Sequence, residues 1–493
     1  MKIVAPFSPL VNGSRINWSE IPSFDITELV QSTSDLLDKG ARLCSWFVLT
    51  EGQDHSIVCV LAMDTESLLA IARSEPVQGS YPSLTPRHPQ AHLFEREVWE
   101  QSGLVPQNHP WLKPVRYILD QAPANAPFFQ VDGPEVHEVA VGPVHAGVIE
   151  PGHFRFQCRG EEVLHLEISL GYQHRGIEKH LVGGPYPLTV FQMETIAGDT
   201  SIAHATAYAT NMEALSGVEA PLRAQWLRAL ALELERLANH TGDMGALALD
   251  VAFLPTSAAC GKIRGDFLNL TALVCGNRFG RGLIFPGGCR HDLEPSRLGT
   301  LLKKLREHIA DAQEAIAWFW DAASVRIRFR DVGVVHTSQA RDIGLVGPSA
   351  RACGLVRDVR FDHPAGWHRF SQAPVAVWPS GDILARAKVR TLEIERSGDY
   401  LLEQIKNEVP GPISTTLSSP MPHSLAVTLV EGWRGEVCHV AITDHNGLLR
   451  AYKITDPSFH NWTGLALALR GTAVYDFPIC NKSFNLSYCG FDL

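Results

Sequence analysis

Glu194-Thr195-Ile196-Ala197-Gly198-Asp199-Thr200-Ser201-Ile202-Ala203-His204 is the stretch on which the reading of this chain turns. It has a counterpart far downstream, Asn485-Leu486-Ser487-Tyr488-Cys489-Gly490. By itself the first stretch is the start of a helix with no chemistry of its own. From Ala197 to Leu215 the sequence is rich in alanine and threonine, with small residues every three or four positions. That spacing lets a helix pack closely against its neighbours.

Working outward, 493 residues are too many for one ordinary core, so more than one domain is expected. A composition of 45% hydrophobic and 19% charged residues suits a globular protein with large cores. The net charge of -10 argues against a nucleic-acid binder. No apolar run reaches the ~20 residues a membrane-spanning helix needs. The start, Met1-Lys2-Ile3-Val4-Ala5-Pro6, lacks the apolar stretch of a signal peptide. A cytoplasmic chain without a membrane span of its own is the expectation. The ten cysteines are scattered and form no Cys-x-x-Cys pair, which speaks for buried apolar side chains and against an iron–sulfur cluster held by this chain.

Residues 1–120 read as a small α/β module. Ile26, Leu29, Val30 and Leu37 fall on one helical face. Trp46-Phe47-Val48-Leu49 and Ile57-Val58-Cys59-Val60-Leu61, separated by Glu51-Gly52-Gln53-Asp54, predict a hairpin. Then come Phe94-Glu95-Arg96-Glu97-Val98-Trp99-Glu100, Gly103 and Asn108-His109-Pro110. An isolated Glu-Arg-Glu triplet would be a solvated helix turn. In this order, however, the residues resemble the signature of the small peripheral-arm subunit of complex I, with Glu100 where that family commonly has Asp. The same module is fused to the large subunit in hydrogenases of the formate-hydrogenlyase type. The resemblance implies an architectural role, docking the large subunit to iron–sulfur partners. Residues 121–135, with Pro123, Pro127 and Pro134, read as a linker.

Residues 136–493 read as a mainly helical domain with β-hairpins, so that the chain as a whole is α+β. Alternation on both sides of Arg159-Gly160-Glu161 predicts one hairpin, and Asp444-His445-Asn446-Gly447 turns another. Pro221 opens an amphipathic helix through Leu222, Trp226, Leu230, Leu234 and Leu237. Further helices are predicted over Leu298–Trp320 and from Gly381 to about Asn407. His240 and Asp243 lie one turn apart, but with no further grouped ligands they favour helix packing over metal binding. Gly347-Pro348 is not followed by Gly-Lys-Ser/Thr, and no Gly-x-Gly-x-x-Gly occurs, so nucleotide binding has no support.

Several segments of this domain resemble the quinone-site subunit of complex I and the large subunits of [NiFe]-hydrogenases. They include Gly142-Pro143-Val144-His145, His174-Arg175-Gly176-Ile177-Glu178-Lys179, Arg281–Gly288, Glu431-Gly432-Trp433-Arg434-Gly435-Glu436 and Asp456-Pro457-Ser458-Phe459. In the hydrogenases the two opening stretches read Cys-Gly-x-Cys-x-x-x-His and Asp-Pro-Cys-x-x-Cys. Here Ala197 and Thr200 stand at the first two cysteine positions, with Gly198 and His204 kept. Asn485, Leu486, Ser487 and Gly490 stand where Asp, Pro, Cys and Cys belong. A Ni–Fe centre needs soft thiolates; alanine and glycine offer no donor, and threonine and serine only neutral hydroxyls. No metal and no hydrogen chemistry are therefore expected.

The resemblance implies a nickel-free subunit of a membrane-associated, complex I-related oxidoreductase at the inner face of the cell membrane. Electrons would come from an iron–sulfur cluster on a partner subunit and pass to a quinone or another small acceptor, with ion-translocating membrane subunits as further partners. The alternative is a scaffold without a site of its own. The implied acid–base residues are Glu178, Asp199 and His204; His145, Thr200 and Ser487 are the implied acceptor-binding residues. Glu178 is either a proton-route carboxylate or an ion-pair partner of Arg175 or Lys179.

Overall fold

The computed structural model describes residues 6–118, 126–145, 147 and 149–493. Part of the predicted linker, 121–125, lies outside the described residues. Its continuation has no regular structure before the strand Val136–Val141.

The N-terminal module is built on an antiparallel path of strands in the order Ser8–Leu10, Leu68–Ser74, Asp54–Met63 and Arg42–Glu51, with Ser23–Phe24 added parallel to Leu68–Ser74. The predicted hairpin closes with Glu51 opposite Asp54. The helix Ile26–Asp38 starts where Asp25 accepts the Thr27 N–H, a side-chain cap for an otherwise unpaired donor. The helix His92–Ser102 carries the Glu-Arg-Glu triplet, and all three side chains are used structurally. Glu95, fully buried, accepts from the Ser83 and Thr85 hydroxyls and from the Leu84 and Thr85 N–H groups. Arg96 donates to the Lys113 and Pro114 carbonyls. Glu97 pairs with Arg116 and, at 2.6 Å, with Lys453 of the large domain.

A second sheet runs Leu449–Thr455, Gly435–Thr443, Ser424–Gly432 and finally Ser14–Asn17, a strand contributed by the N-terminal end of the chain. Every residue of Ser424–Gly432 and Gly435–Thr443 is buried. The helix Ser201–Ser216 packs on this sheet. Leu425, Val427, Leu429 and Val440 share a core with Phe47, Val58, Val60 and Leu69 of the module. Burial on both faces explains why these strands are nearly continuous apolar runs rather than alternating ones.

The helices Leu222–Asp250, Pro295–Asp321 and Ile383–Lys406 form where the spacing predicts them. Leu254–Cys275 is an additional long helix packed on Leu222–Asp250 through the connection Val251–Phe253. Its apolar residues are spread round the helix, and Gly261 and Gly265 interrupt them, so no single stripe announces it.

Candidate functional site

The helix predicted from Ala197 begins later, at Ser201, with Thr200 as its N-cap residue. Ala197–Thr200 therefore form the approach to a helix end. Glu235, from the neighbouring helix, accepts the Ile202 N–H at 2.8 Å and satisfies one of its free donors. Asn239 on the same helix donates to the carbonyls of Asp199 and Glu235.

Arg434 closes the approach. It sits in the turn between Ser424–Gly432 and Gly435–Thr443 and binds Asp199 through both terminal nitrogens, at 2.5 and 2.8 Å. The first of these also donates to the Thr200 hydroxyl at 3.2 Å, and Nε donates to the Asn485 carbonyl at 2.6 Å. The guanidinium stacks 3.9 Å from the Trp433 ring, whose N–H donates to the Asp199 carbonyl. One planar cation thus joins both motifs, at positions that hold a cysteine and an aspartate in the hydrogenase pattern. Bidentate geometry makes this the stronger kind of ion pair. Burial raises the Asp199 carboxyl, but Arg434 outweighs it and holds the group below its usual range. Asp199 is nevertheless 32% exposed, so this is a partly open pair. The turn is tight: a Cβ on Gly435, at φ +131°, would lie 2.8 Å from the Gly347 Cα.

A second set of groups lies behind Arg434. His204 Nε2 is 3.1 Å from Asp456 Oδ2 and its Nδ1 is 3.0 Å from His439 Nε2. His439 Nδ1 is 2.8 Å from the Tyr452 hydroxyl. Asp456 also accepts the Ser458 N–H. A Cβ at Gly490, the last of the lost cysteine positions, would stand 2.7 Å from the Asp456 carboxylate. The carboxylate occupies space that a side chain there would need.

The remaining predicted residues go elsewhere. Ser487 is a cap: its hydroxyl accepts the Gly490 N–H at 2.9 Å and its own N–H donates to Ser458. Glu178 pairs with neither Arg175 nor Lys179. It binds Lys453 at 2.9 Å and accepts the Ile454 N–H. Arg175 instead donates to the Thr195 and Ile196 carbonyls. His145 is exposed on its loop, with Nδ1 2.8 Å from the Gly142 carbonyl oxygen. His240 and Asp243 take helix-packing partners, Glu393 and Arg390, both at 2.6 Å. Asp199, Thr200 and His204 are brought together. Arg434, Asp456, His439, Tyr452 and Glu235 are additions; Arg434 and Asp456 lay in segments whose family likeness was visible but whose side-chain roles were not.

A Ni–Fe centre does not fit this donor set. Ala197 and Gly490 bring no donor, Thr200 is engaged by a cation, and the Asp456 carboxylate fills the space beside Gly490. Among the described residues no group of three or more His, Cys, Asp or Glu is placed to hold a metal ion. Among them, too, no helix is long and apolar enough to cross a membrane.

These features define a hydrogenase-type framework with its metal position closed by protein. The chain belongs to the family that unites respiratory-chain NADH dehydrogenase subunits with the large subunits of membrane-bound hydrogenases. Residues 250–420 match the respiratory-chain NADH dehydrogenase 49 Kd subunit, and residues 20–128 match the 30 Kd subunit. The chain is 30% identical over 461 residues to formate hydrogenlyase subunit 5 of Escherichia coli, covering 88% of this chain and 81% of that protein. It is 30% identical over 391 residues to NADH-quinone oxidoreductase subunit 4 of Thermus thermophilus, covering 73% and 95%. It is 27% identical over 369 residues to the membrane-bound hydrogenase subunit alpha of Pyrococcus furiosus, covering 71% and 85%.

Proposed function

We propose that this chain is the nickel-free, hydrogenase-type subunit of a membrane-associated, complex I-related energy-converting oxidoreductase. It stands between an iron–sulfur cluster on a partner subunit and a quinone or another small acceptor, and it couples that transfer to ion-translocating membrane subunits. The carrying observation is the Asp199–Arg434 pair with its bonds to Thr200 and Asn485, which joins by protein the two motifs that hold metal in the hydrogenases. On this reading Asp199, held ionised and partly open, and Thr200 form the acceptor side. His204 is the acid–base group behind them, and exposed His145 is the loop contact. The chain works from the cytoplasmic face, and residues 1–120 act as the docking module ahead of 136–493.

The test is purification of the native complex through a tag on this chain. Elemental analysis is expected to find iron from the partner without stoichiometric nickel, and electron flow to a quinone without hydrogen evolution. Stoichiometric nickel, or hydrogen production, would overturn the proposal. A scaffold role is the second reading, favoured by Ser487 serving as a cap and Glu178 as an ion-pair partner. An assembled complex with undiminished electron flux in Asp199→Ala and Glu178→Gln would establish the scaffold instead.

A further inference from the structure

Asp456, His204, His439 and Tyr452 are all buried, with relative exposures of 1%, 0%, 0% and 4%. They come from four places: the residue capping the helix Pro457–Ala468, the helix Ser201–Ser216, and two adjacent strands. Three hydrogen bonds of 3.1, 3.0 and 2.8 Å join them in single file. His204 gives the buried Asp456 carboxylate a donor, but that pairing does not by itself require a second histidine behind it, where an apolar residue would fill the space.

The donors can be assigned from chemistry. An ionised carboxylate only accepts, so His204 donates from Nε2 to Asp456. With His204 neutral, its Nδ1 accepts from His439 Nε2–H, and His439 Nδ1 accepts from the Tyr452 hydroxyl. The two histidines are then each both donor and acceptor, and all donors point toward Asp456. At the far end Tyr452 lies against Tyr208, with ring centroids 6.1 Å apart. Tyr208 lines a surface cavity of about 420 Å³ together with Val190, Met212 and Pro420.

We propose that these four residues form a proton relay that takes up a proton at Tyr452 and stores it on His204, directly behind the Asp199–Arg434 pair. Tyr452 passes its hydroxyl proton to His439 Nδ1 and regains one from the cavity side. His439 releases its Nε2 proton to His204 Nδ1. One proton enters, His204 becomes an imidazolium paired with Asp456, His439 ends as the other neutral tautomer, and no electron moves. The charged neighbours are consistent with storage at this one site. Asp456 stabilises the imidazolium, whereas Arg434 faces Asp456 and limits how strongly it does so. His460 faces it too, but burial pushes its pKa down to about 4 and leaves it uncharged near neutral pH. Asn211, Cys438 and Tyr208 surround Tyr452. Burial, then the neighbouring His204, keeps His439 neutral, so it transmits a proton rather than holding one. The relay goes beyond the proposed function and is independent of which acceptor the complex reduces.

The test uses the full chain with nitrogen-15 histidine, following both ring nitrogens of His204 and His439 by NMR from about pH 5 to about pH 8. The two rings are expected to change in one coupled transition. Tyr452→Phe keeps the aromatic volume and should slow solvent exchange of the His204 ring N–H by about tenfold or more. Asp456→Asn removes the counter-charge without touching Tyr452, so it tests the storage site separately. It should move the coupled transition about one pH unit lower. A His204 transition that leaves His439 unmoved, or an exchange rate unchanged or faster in a folded Tyr452→Phe variant, overturns the relay. So does an unmoved transition in Asp456→Asn.

Discussion

Two charged clusters each join parts of the chain far apart in sequence, and they are built differently. In the first, Glu97 of the N-terminal module sits between Arg116 and Lys453, and Lys453 reaches on to Glu178. Glu97, Arg116 and Lys453 are almost wholly buried, and Arg116 also donates to the Phe491 carbonyl. Burial raises the Glu97 carboxyl, but Arg116 and then Lys453 outweigh it and keep it low. In the second, Arg434 is buried but its partner Asp199 is a third exposed. The first cluster is closed around Glu97, Arg116 and Lys453, with only Glu178 partly exposed at its edge, and acts as a weld between module and domain. The second is closed on the protein side only, leaving a charged, rigid face where the hydrogenases carry metal. Exposure, more than the number of ion pairs, separates structure from site here.

The sharpest way to break that contrast is to remove the central carboxylate of the weld. Glu97→Ala strips the buried Arg116 of its carboxylate and leaves Lys453 with Glu178 alone. Removing one member of a buried ion pair costs about 3–5 kcal/mol. Urea unfolding should show a loss of that size, with a smaller loss for Glu97→Gln, which still accepts hydrogen bonds. A loss below about 1 kcal/mol would show that the weld is not holding the module. Arg434→Ala should cost less, about 2–3 kcal/mol, because water can solvate the released Asp199 on its open side. A loss equal to that of Glu97→Ala in the same urea titration would erase the distinction drawn between the two clusters.

Much of the frame was legible because its signals are local. Pro221 marks a helix start, and Glu51–Asp54 and Asp444–Gly447 mark turns, each within a few residues of the element it controls. The site was legible only on one side. Asp199, Thr200 and His204 could be named because a family pattern covers them. Their partners Arg434 and Asp456 lie 235 and 252 positions further along the chain. No propensity or periodicity links residues so distant; only the fold does. The same limit explains Glu178: the ion-pair partners weighed beside its proton-route role, Arg175 and Lys179, lie in its own turn, whereas a strand far along the chain brings Lys453 to it. Ala197–Thr200 were placed in the helix because small residues suit one, but the chain spends them on the turn that aims Asp199 at Arg434.

Restoring a lost cysteine probes the same closed geometry. In Gly490→Cys the added Cβ would meet the Asp456 carboxylate at 2.7 Å, a clash with a side chain pinned by His204 and Ser458. Overpacking of this kind costs about 1–3 kcal/mol. The expected result is a less stable protein that binds nickel no better than the parent by equilibrium dialysis. Combining it with Asp456→Ala should cost less than the sum of the two single changes, because the second makes room for the first. Strict additivity would mean that Asp456 does not fill the lost position.

The finest test concerns Glu235, which lies beneath the open pair and accepts the Ile202 N–H. Burial, reinforced by the nearby Asp199 charge, pushes its carboxyl up to about 8 against the opposing backbone N–H bonds. An unfolded glutamate titrates near about 4.3. Between those values the folded chain therefore holds a proton that the unfolded chain has released. Stability from this group is fully present below the lower value, falls as pH rises, and stops changing above about 8. Glu235→Gln presents the same acceptor to Ile202 but cannot ionise. From about pH 6 to about pH 7 the parent should lose about 1 kcal/mol more than the variant, near the limit for one proton per pH unit. Other carboxyls raised by burial, Glu431 at about 7 among them, contribute equally to both proteins and cancel in the difference. Parallel curves for parent and variant would mean that Glu235 is ionised beside Asp199, and that Arg434 neutralises two carboxylates rather than one.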